Sequence, residues 1–317
     1  MTKIVIQTMD LTKQFDDLVA VNELNIYVKR GELVGLLGPN GAGKTTTISM
    51  LSTILKPTNG DANVNGHSIN ANPHEVRKKI GVVPQENIFY EYLTAKENCE
   101  LFASMHGIKK EEIKSHVKDL FQRLQLEEKM NTKSSKLSGG MKKRLNIMMG
   151  LIIDPDIIFL DEPSAGLDPQ AARLTWDFIR GLKHTGKTII LTTHNMHEAE
   201  ELCDRIYIID EGKIIAEGSP QALRANIGDG EFFDLKFKSK TDLEQLKSKF
   251  EDLGSYINKV QVLSEDRMVI SATGGVKRLL EIEELLPEGL DSLQNLNIHG
   301  NTLEDVFLLL TGRKLRE

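Results

Sequence analysis

The sequence predicts an α/β fold built on a parallel sheet, followed by a smaller α+β domain. Three observations carry this expectation. Buried-looking strands alternate with a helix, a glycine-rich loop joins a strand to a helix, and the tail restarts with an order of elements of its own. At 317 residues the chain is long for one domain and suits one large and one small. Its 40% hydrophobic and 27% charged residues permit a substantial core and exclude a charge-dominated, disordered polymer.

The elements follow in order. Up to about residue 90, short β-branched runs alternate with glycine turns, which predicts strands at 4–6, 24–28, 33–37 and 80–83. From 93 to 153 the spacing becomes helical, and a heavily charged stretch carries apolar Ile113, Val117, Leu120, Phe121 and Leu124 on one face. Strands at 157–160 and 188–192 flank a helix at 170–182 that ends near Gly186. This βαβ rhythm implies parallel pairing. Around Gly218, Ser219 and Pro220 the composition breaks, so two domains are expected, 1–220 and 229–317. The second reads strand 232–237, helix 242–250, strands 260–263 and 268–272, helix 276–286, strand 293–298 and a last helix. That β-α-β-β-α-β order is ferredoxin-like. Thr302-Leu-Glu-Asp305 before the apolar run 306–310 predicts a capped start for the last helix.

Bulk properties exclude some roles. Forty Lys plus Arg against 46 Asp plus Glu give a formal charge of −6, which does not favour wrapping nucleic acid. The two cysteines, Cys99 and Cys203, stand far apart in no metal or redox spacing, which fits a reducing compartment and a cytoplasmic location. The N-terminus lacks a basic region followed by an apolar core, and the most apolar stretch, 145–160, is cut by Asp154, Pro155 and Asp156. No segment is therefore expected to span a bilayer or direct export.

The segment from Gly38 through Asn40, Gly41, Gly43 and Lys44 to Thr45 and Thr46 follows a strand and opens a helix, the spacing and context of a P-loop. Glycines at 38, 41 and 43 let successive N–H groups turn inward around phosphate oxygens, and the helix adds the positive end of its dipole. Lys44 would reach the β- and γ-phosphates of a nucleotide, and Thr45 would place its hydroxyl on Mg²⁺. Further on, strand 157–160 ends in Asp161-Glu162, at the sheet edge where ligands sit in open α/β folds. Asp161 would serve the metal as in a Walker B strand, and Glu162 an attacking water.

These motifs alone fit kinases, GTPases and many ATPases. Leu137-Ser138-Gly139-Gly140-Met141 narrows the choice, because it resembles the LSGGQ signature of the ABC ATPases, with Met141 where Gln is usual. Gln85 resembles that family's Q-loop, 164–168 its D-loop and His194 its switch histidine. Phe15 stands where these proteins stack an aromatic, more often Tyr, on adenine. The resemblance runs from residue 4 to about 220. It implies a P-loop NTPase fold, in which a RecA-like parallel sheet carries an antiparallel β subdomain and a helical subdomain at about 86–156. It also implies ATP and Mg²⁺ as cofactors, with Thr45, Gln85 and Asp161 around the metal and Lys44, Glu162 and His194 in catalysis. A homodimer is implied too, in which Ser138 and Gly140 face the nucleotide of the other copy.

Three ABC classes compete. Translation factors carry two cassettes per chain, whereas one P-loop and one signature occur here. DNA-repair types insert long coiled coils, but Ser138 stands 94 positions after Lys44 with no sustained heptads between them. A transporter ATPase remains, working with separate transmembrane permease subunits at the cytoplasmic face of the membrane. The stretch 84–94 and the ending 303–313 resemble the drug-resistance and ABC-2 branch, which favours an exporter.

Overall fold

In a computed structural model of the chain, residues 3–225, 230–239, 241–252 and 256–311 are described. The expected boundary at 229 and the last two residues of the ending 303–313 lie outside them. Two compact units divide between Glu217 and Gly218.

The most continuous apolar runs become the centre of the first unit. Leu33–Leu37, Ile157–Asp161 and Thr188–Thr193 are buried along their whole length, as strands covered on both faces must be. They pair in parallel, with Leu33 opposite Ile189 and Ile157 opposite Thr188. The six-stranded sheet runs Lys213–Gly218, Arg205–Asp210, Leu33–Leu37, Thr188–Thr193, Ile157–Asp161, Ile80–Val83. Its four pairings from Arg205–Asp210 to Ile80–Val83 are all parallel. Parallel pairing forces the C-terminal ends of these strands onto one edge, so the P-loop, Asp161, His194 and Gln85 all emerge there.

A second, antiparallel sheet forms around Ile4–Phe15, flanked by Leu18–Leu24, Tyr27–Lys29 and Asn59–Val64, with His67–Ser68 at its far edge. The strand expected at 24–28 is broken at Asn25 and Ile26, and buried Thr8 is the reason. Its hydroxyl donates to the Leu24 carbonyl (2.6 Å) and accepts from the Ile26 N–H (2.7 Å), which diverts the chain from a continuous ladder. The strand Asn59–Val64 carries no β-branched run and was not expected, because pairing with Ile4–Phe15 makes it a strand.

Between the strands Ile80–Val83 and Ile157–Asp161 stand the helices Ala95–Met105, Lys110–Arg123 and Gly139–Leu151. Thr94 and Glu97 close a reciprocal cap on the first. The stripe Ile113, Val117, Leu120, Phe121 and Leu124 is buried, as its spacing predicts. Gly139–Leu151 lies directly against Ile80–Val83 because both carry glycine at the contact. A Cβ on Gly81 would come within 2.2 Å of the Gly150 carbonyl oxygen.

The second unit begins with the helix Pro220–Ala225. Its sheet runs Ile257–Ser264, Arg267–Ala272, Glu231–Phe237, Leu293–Gly300, antiparallel throughout. This is the expected ferredoxin-like connectivity. Alternation divides the faces: Phe233, Leu235 and Phe237 pack with Leu246, Phe250 and Ile282 from the two intervening helices. Phe232 and Val269 pack on the opposite side with Leu308 and Leu309 of the final helix, Leu303–Thr311. That helix opens with the predicted cap, in which Thr302 Oγ1 accepts from the Asp305 N–H and Asp305 Oδ2 accepts from the Thr302 N–H (3.2 and 2.9 Å). The helix expected at 276–286 instead starts as a 3₁₀ turn, Gly275–Arg278, before Leu279–Leu285.

Gly81→Ala should lower stability by about 1–3 kcal/mol through overpacking. Gly181→Ala, in a helix with open space around the new methyl, should be neutral or stabilising by roughly 0.5–1 kcal/mol. Urea unfolding of both variants checks this, and a Gly81→Ala protein as stable as the parent contradicts the glycine contact.

Candidate functional site

The loop after Leu37 is shaped by what surrounds it. A Cβ on Gly38 would fall 2.1 Å from the Ile209 carbonyl oxygen, and one on Gly43 would fall 2.4 Å from that of Ala20. Gly43 also takes φ of 99° at the N-cap of the helix Lys44–Leu51, a backbone angle that side chains resist. Lys44 folds back under the loop, donating to the carbonyls of Gly38 (2.8 Å) and Pro39 (3.0 Å). Its ammonium is 3.7 Å from Glu162 Oε1, and both side chains are buried. Burial pushes the Lys44 pKa below its usual value, against the pull of Glu162 and Asp161. An incompletely neutralised buried ammonium is electrostatically suited to an anion.

The two carboxylates at the end of Ile157–Asp161 turn to different tasks. Asp161 Oδ1 accepts from Thr45 Oγ1 (3.1 Å) and from Thr192 Oγ1. Glu162 follows with φ of 47°, and its N–H is anchored on the carbonyl and hydroxyl of Thr192 (3.2 and 3.0 Å). That turn delivers its carboxylate to His194 Nδ1, 3.1 Å from Oε1, and to Gln85 Nε2, 3.3 Å from Oε2.

Together these groups line a pocket of about 610 Å³. Of the residues expected from the sequence, Phe15, Asn40, Gly41, Gly43, Lys44, Thr45, Thr46, Gln85, Glu162 and His194 line it directly. Gly38 and Asp161 stand behind Lys44 and Thr45. Its lining combines apolar Phe15, Leu18 and Ala20 with the polar groups around Lys44. Phe15 is 43% exposed, and Lys13 Nζ sits 5.0 Å from its ring centre. An aromatic and a buried cation at the start of a helix, in one pocket, match a base joined to phosphates.

Ser138 and Gly140 are not among the residues that line this pocket. They open the helix Gly139–Leu151, where exposed Ser138 accepts from the Met141 N–H at 3.4 Å.

Sequence reasoning missed four supports of the site. Thr192 donates its hydroxyl to the Asp161 carboxylate and anchors the Glu162 backbone N–H through its carbonyl and hydroxyl. Glu198, 1% exposed, accepts from Ser164 Oγ (2.5 Å) and Trp176 Nε1 (3.0 Å). Burial raises its pKa despite those donors. It stands four positions after His194, in the first turn of the helix Met196–Leu202. Asn146 and Lys143 on the helix after the signature bind the backbone around Gln85, and only the fold reveals that.

The ABC transporter family matches residues 21–165. Over 311 residues the chain is 39% identical to the Nod factor export ATP-binding protein I of Burkholderia orbicola (strain AU 1054), covering 97% of each. The chain is an ATP-binding subunit of the ABC transporter family. The subunit is also 37% identical over 317 residues to the protein of the same name from Rhizobium sp. (strain N33), across the full length of both. Among solved structures it is similar to an ATP-binding subunit of an ABC transporter, with TM-score 0.64 and 29% identity over 71% of this chain and 93% of that one. A dimeric ATP-binding cassette in a post-hydrolysis state bound to ADP and Pi is similar with TM-score 0.62 and 28% identity, over 68% and 98%. Membership settles what a P-loop alone leaves open: the subunit binds and hydrolyses ATP. Among the described residues no helix is long and apolar enough to cross a membrane.

Lys44→Ala should abolish the rise in Tm that Mg-ATP gives the parent, a rise worth about 2.7 kcal/mol at 100 times Kd. The unliganded variant should melt no higher than the parent, because it gives up the lysine's bonds to the Gly38 and Pro39 carbonyls and leaves buried Glu162 without its cation. Differential scanning calorimetry with and without Mg-ATP reads both, and a nucleotide-induced shift equal to the parent's contradicts the role of Lys44.

Proposed function

We propose that two copies of the subunit close head-to-tail over two ATP molecules, and that hydrolysis drives export through separate membrane-spanning subunits at the cytoplasmic face. The carrying observation is the separation within one chain. Lys44, Glu162, His194 and Gln85 converge on one pocket, whereas Ser138 stands exposed at a helix N-terminus outside it. A helix N-terminus suits phosphate, and a two-fold operator gives each pocket the other copy's Ser138 and Gly140. The dimeric form of the solved cassette and the export named for the curated relatives support this over a translation or DNA-repair role.

In this assembly Phe15 takes adenine, and Lys44 with the P-loop N–H groups takes the β- and γ-phosphates. Thr45 and Asp161 present hard oxygen donors 3.1 Å apart. That fits Mg²⁺, which needs one or two protein ligands beside phosphates and water, with Gln85 next to them on Glu162. Bound there, Mg²⁺ would neutralise charge on the phosphates. Glu162 accepts the proton of the attacking water, held in orientation by His194 and Gln85. His194 also holds the γ-phosphate. Met141 removes a polar side chain from the signature but leaves the Ser138 hydroxyl and Gly140 N–H. The second unit carries no phosphate loop and serves contacts with the other copy or the membrane subunits.

Glu162→Gln keeps shape and hydrogen bonding but cannot take a proton, so hydrolysis should fall roughly 100-fold or more while ATP still binds. Light scattering should then show a persistent dimer with Mg-ATP, whereas Asp161→Asn should weaken Mg-dependent binding and give none. Phosphate release near the parent rate from Glu162→Gln refutes the base assignment. A chain ending at Glu217 should bind Mg-ATP with parent affinity but fail to energise transport in reconstituted vesicles, and normal transport would remove any role for the second unit.

A further inference from the structure

Beneath the pocket, the loop that carries Gln85 is held by the helix that follows the signature. Asn146, 0% exposed, donates through Nδ2 to the carbonyls of Pro84 and Glu86, both at 3.0 Å, and accepts from the Ile88 N–H at 3.1 Å. Lys143 lies one turn earlier on the same face, 5% exposed, and donates to the Gln85 carbonyl at 3.2 Å. Four backbone groups between 84 and 88 are thus bound to two side chains of one helix. The next stretch is held in the same manner: fully buried Asn98 donates to the Tyr90 carbonyl (2.9 Å) and to Ser134 Oγ (2.9 Å), and accepts from the Tyr90 N–H (2.7 Å). A buried network with its donors satisfied has few alternative arrangements. Meanwhile the Gln85 side chain reaches the other way, to Glu162, and the helix that bears Asn146 begins at Ser138.

We propose that Asn146 and Lys143 are positioning residues that make the Gln85 loop and the signature helix shift as one body. Occupancy of a protomer's own pocket thereby sets how that protomer presents Ser138 to the other. The proposal rests on the sandwich dimer above and deepens it by assigning the link between a chain's two half-sites. Neither residue touches nucleotide. Burial lowers the Lys143 pKa, while Asp161, Glu162 and Glu198 draw it upward, so its ammonium also stands in the field of Asp161 and Glu162. The link is reciprocal by thermodynamic necessity: a signature docked on a partner's nucleotide favours the Gln85 position that goes with it.

The test separates binding from turnover. In the full-length chain, Asn146→Leu removes both kinds of hydrogen bond at similar size, Lys143→Met removes the ammonium alone, and Lys143→Arg keeps a donor. Mg-ATP affinity should stay within about twofold of the parent in each, while kcat falls roughly 5- to 30-fold in Asn146→Leu and Lys143→Met, and Lys143→Arg recovers most of it. In both low-turnover variants, amide exchange at Ile88 should accelerate while amides of the strand Thr188–Thr193 keep their parent rates. Parent-like kcat in both, or affinity and strand protection lost in step with kcat, overturns the proposal by showing either no role or a merely structural one. Lys143→Met leaves the bonds of Asn146 in place, so it decides the matter if Asn146→Leu fails to fold. If Glu162→Gln never dimerises with ATP, the sandwich falls, whereas the split between affinity and kcat still reads the link within one chain.

Discussion

Parallel pairing of Leu33–Leu37, Thr188–Thr193 and Ile157–Asp161 is the constraint on which the rest depends. It converts distance in sequence into distance in space: Thr45 and Asp161 are 116 positions apart in the chain and 3.1 Å apart in the fold. Because parallel strands end on one edge, a lysine, a glutamate and a histidine far apart in the chain meet in one pocket. The backbone there is held by buried contacts. Ile209 and Ala20 carbonyls leave no room for a side chain at 38 or 43, and Thr192 anchors the turn into Glu162.

The charges in this pocket are arranged for a guest. Lys44 has its neighbours in Glu162 and two carbonyls, yet burial still holds its pKa low. In the proposed complex, phosphate would add negative charge beside a buried ammonium whose pKa burial lowers. The division between the carboxylates follows from one backbone angle. Asp161 ends a strand and faces Thr45, and Glu162, at positive φ, faces His194 and Gln85.

Much of this was legible in the sequence because its signals are local. The P-loop glycines, the acidic strand end and the signature each lie within a few residues, and the tail's strand and helix periods gave the ferredoxin-like order that the sheet shows. What escaped depends on partners far along the chain. Thr8 breaks the strand expected at 24–28 from 16 to 18 positions away. Asn59–Val64 is a strand through its pairing and not through its composition. Asn146 reads as an ordinary polar residue of a helix until Pro84 and Glu86 are found against it.

The central claim is that each nucleotide is completed by the other copy, and cross-linking between differently tagged chains tests it most directly. One chain carries Asn40→Cys at the P-loop and the other Ser138→Cys, each with Glu162→Gln, and the native Cys99 and Cys203 are buried. The account predicts that a short bifunctional thiol reagent joins the two tagged chains when Mg-ATP is present and leaves them separate without it. Efficient joining that is indifferent to nucleotide, or no joining between chains under either condition, would contradict it.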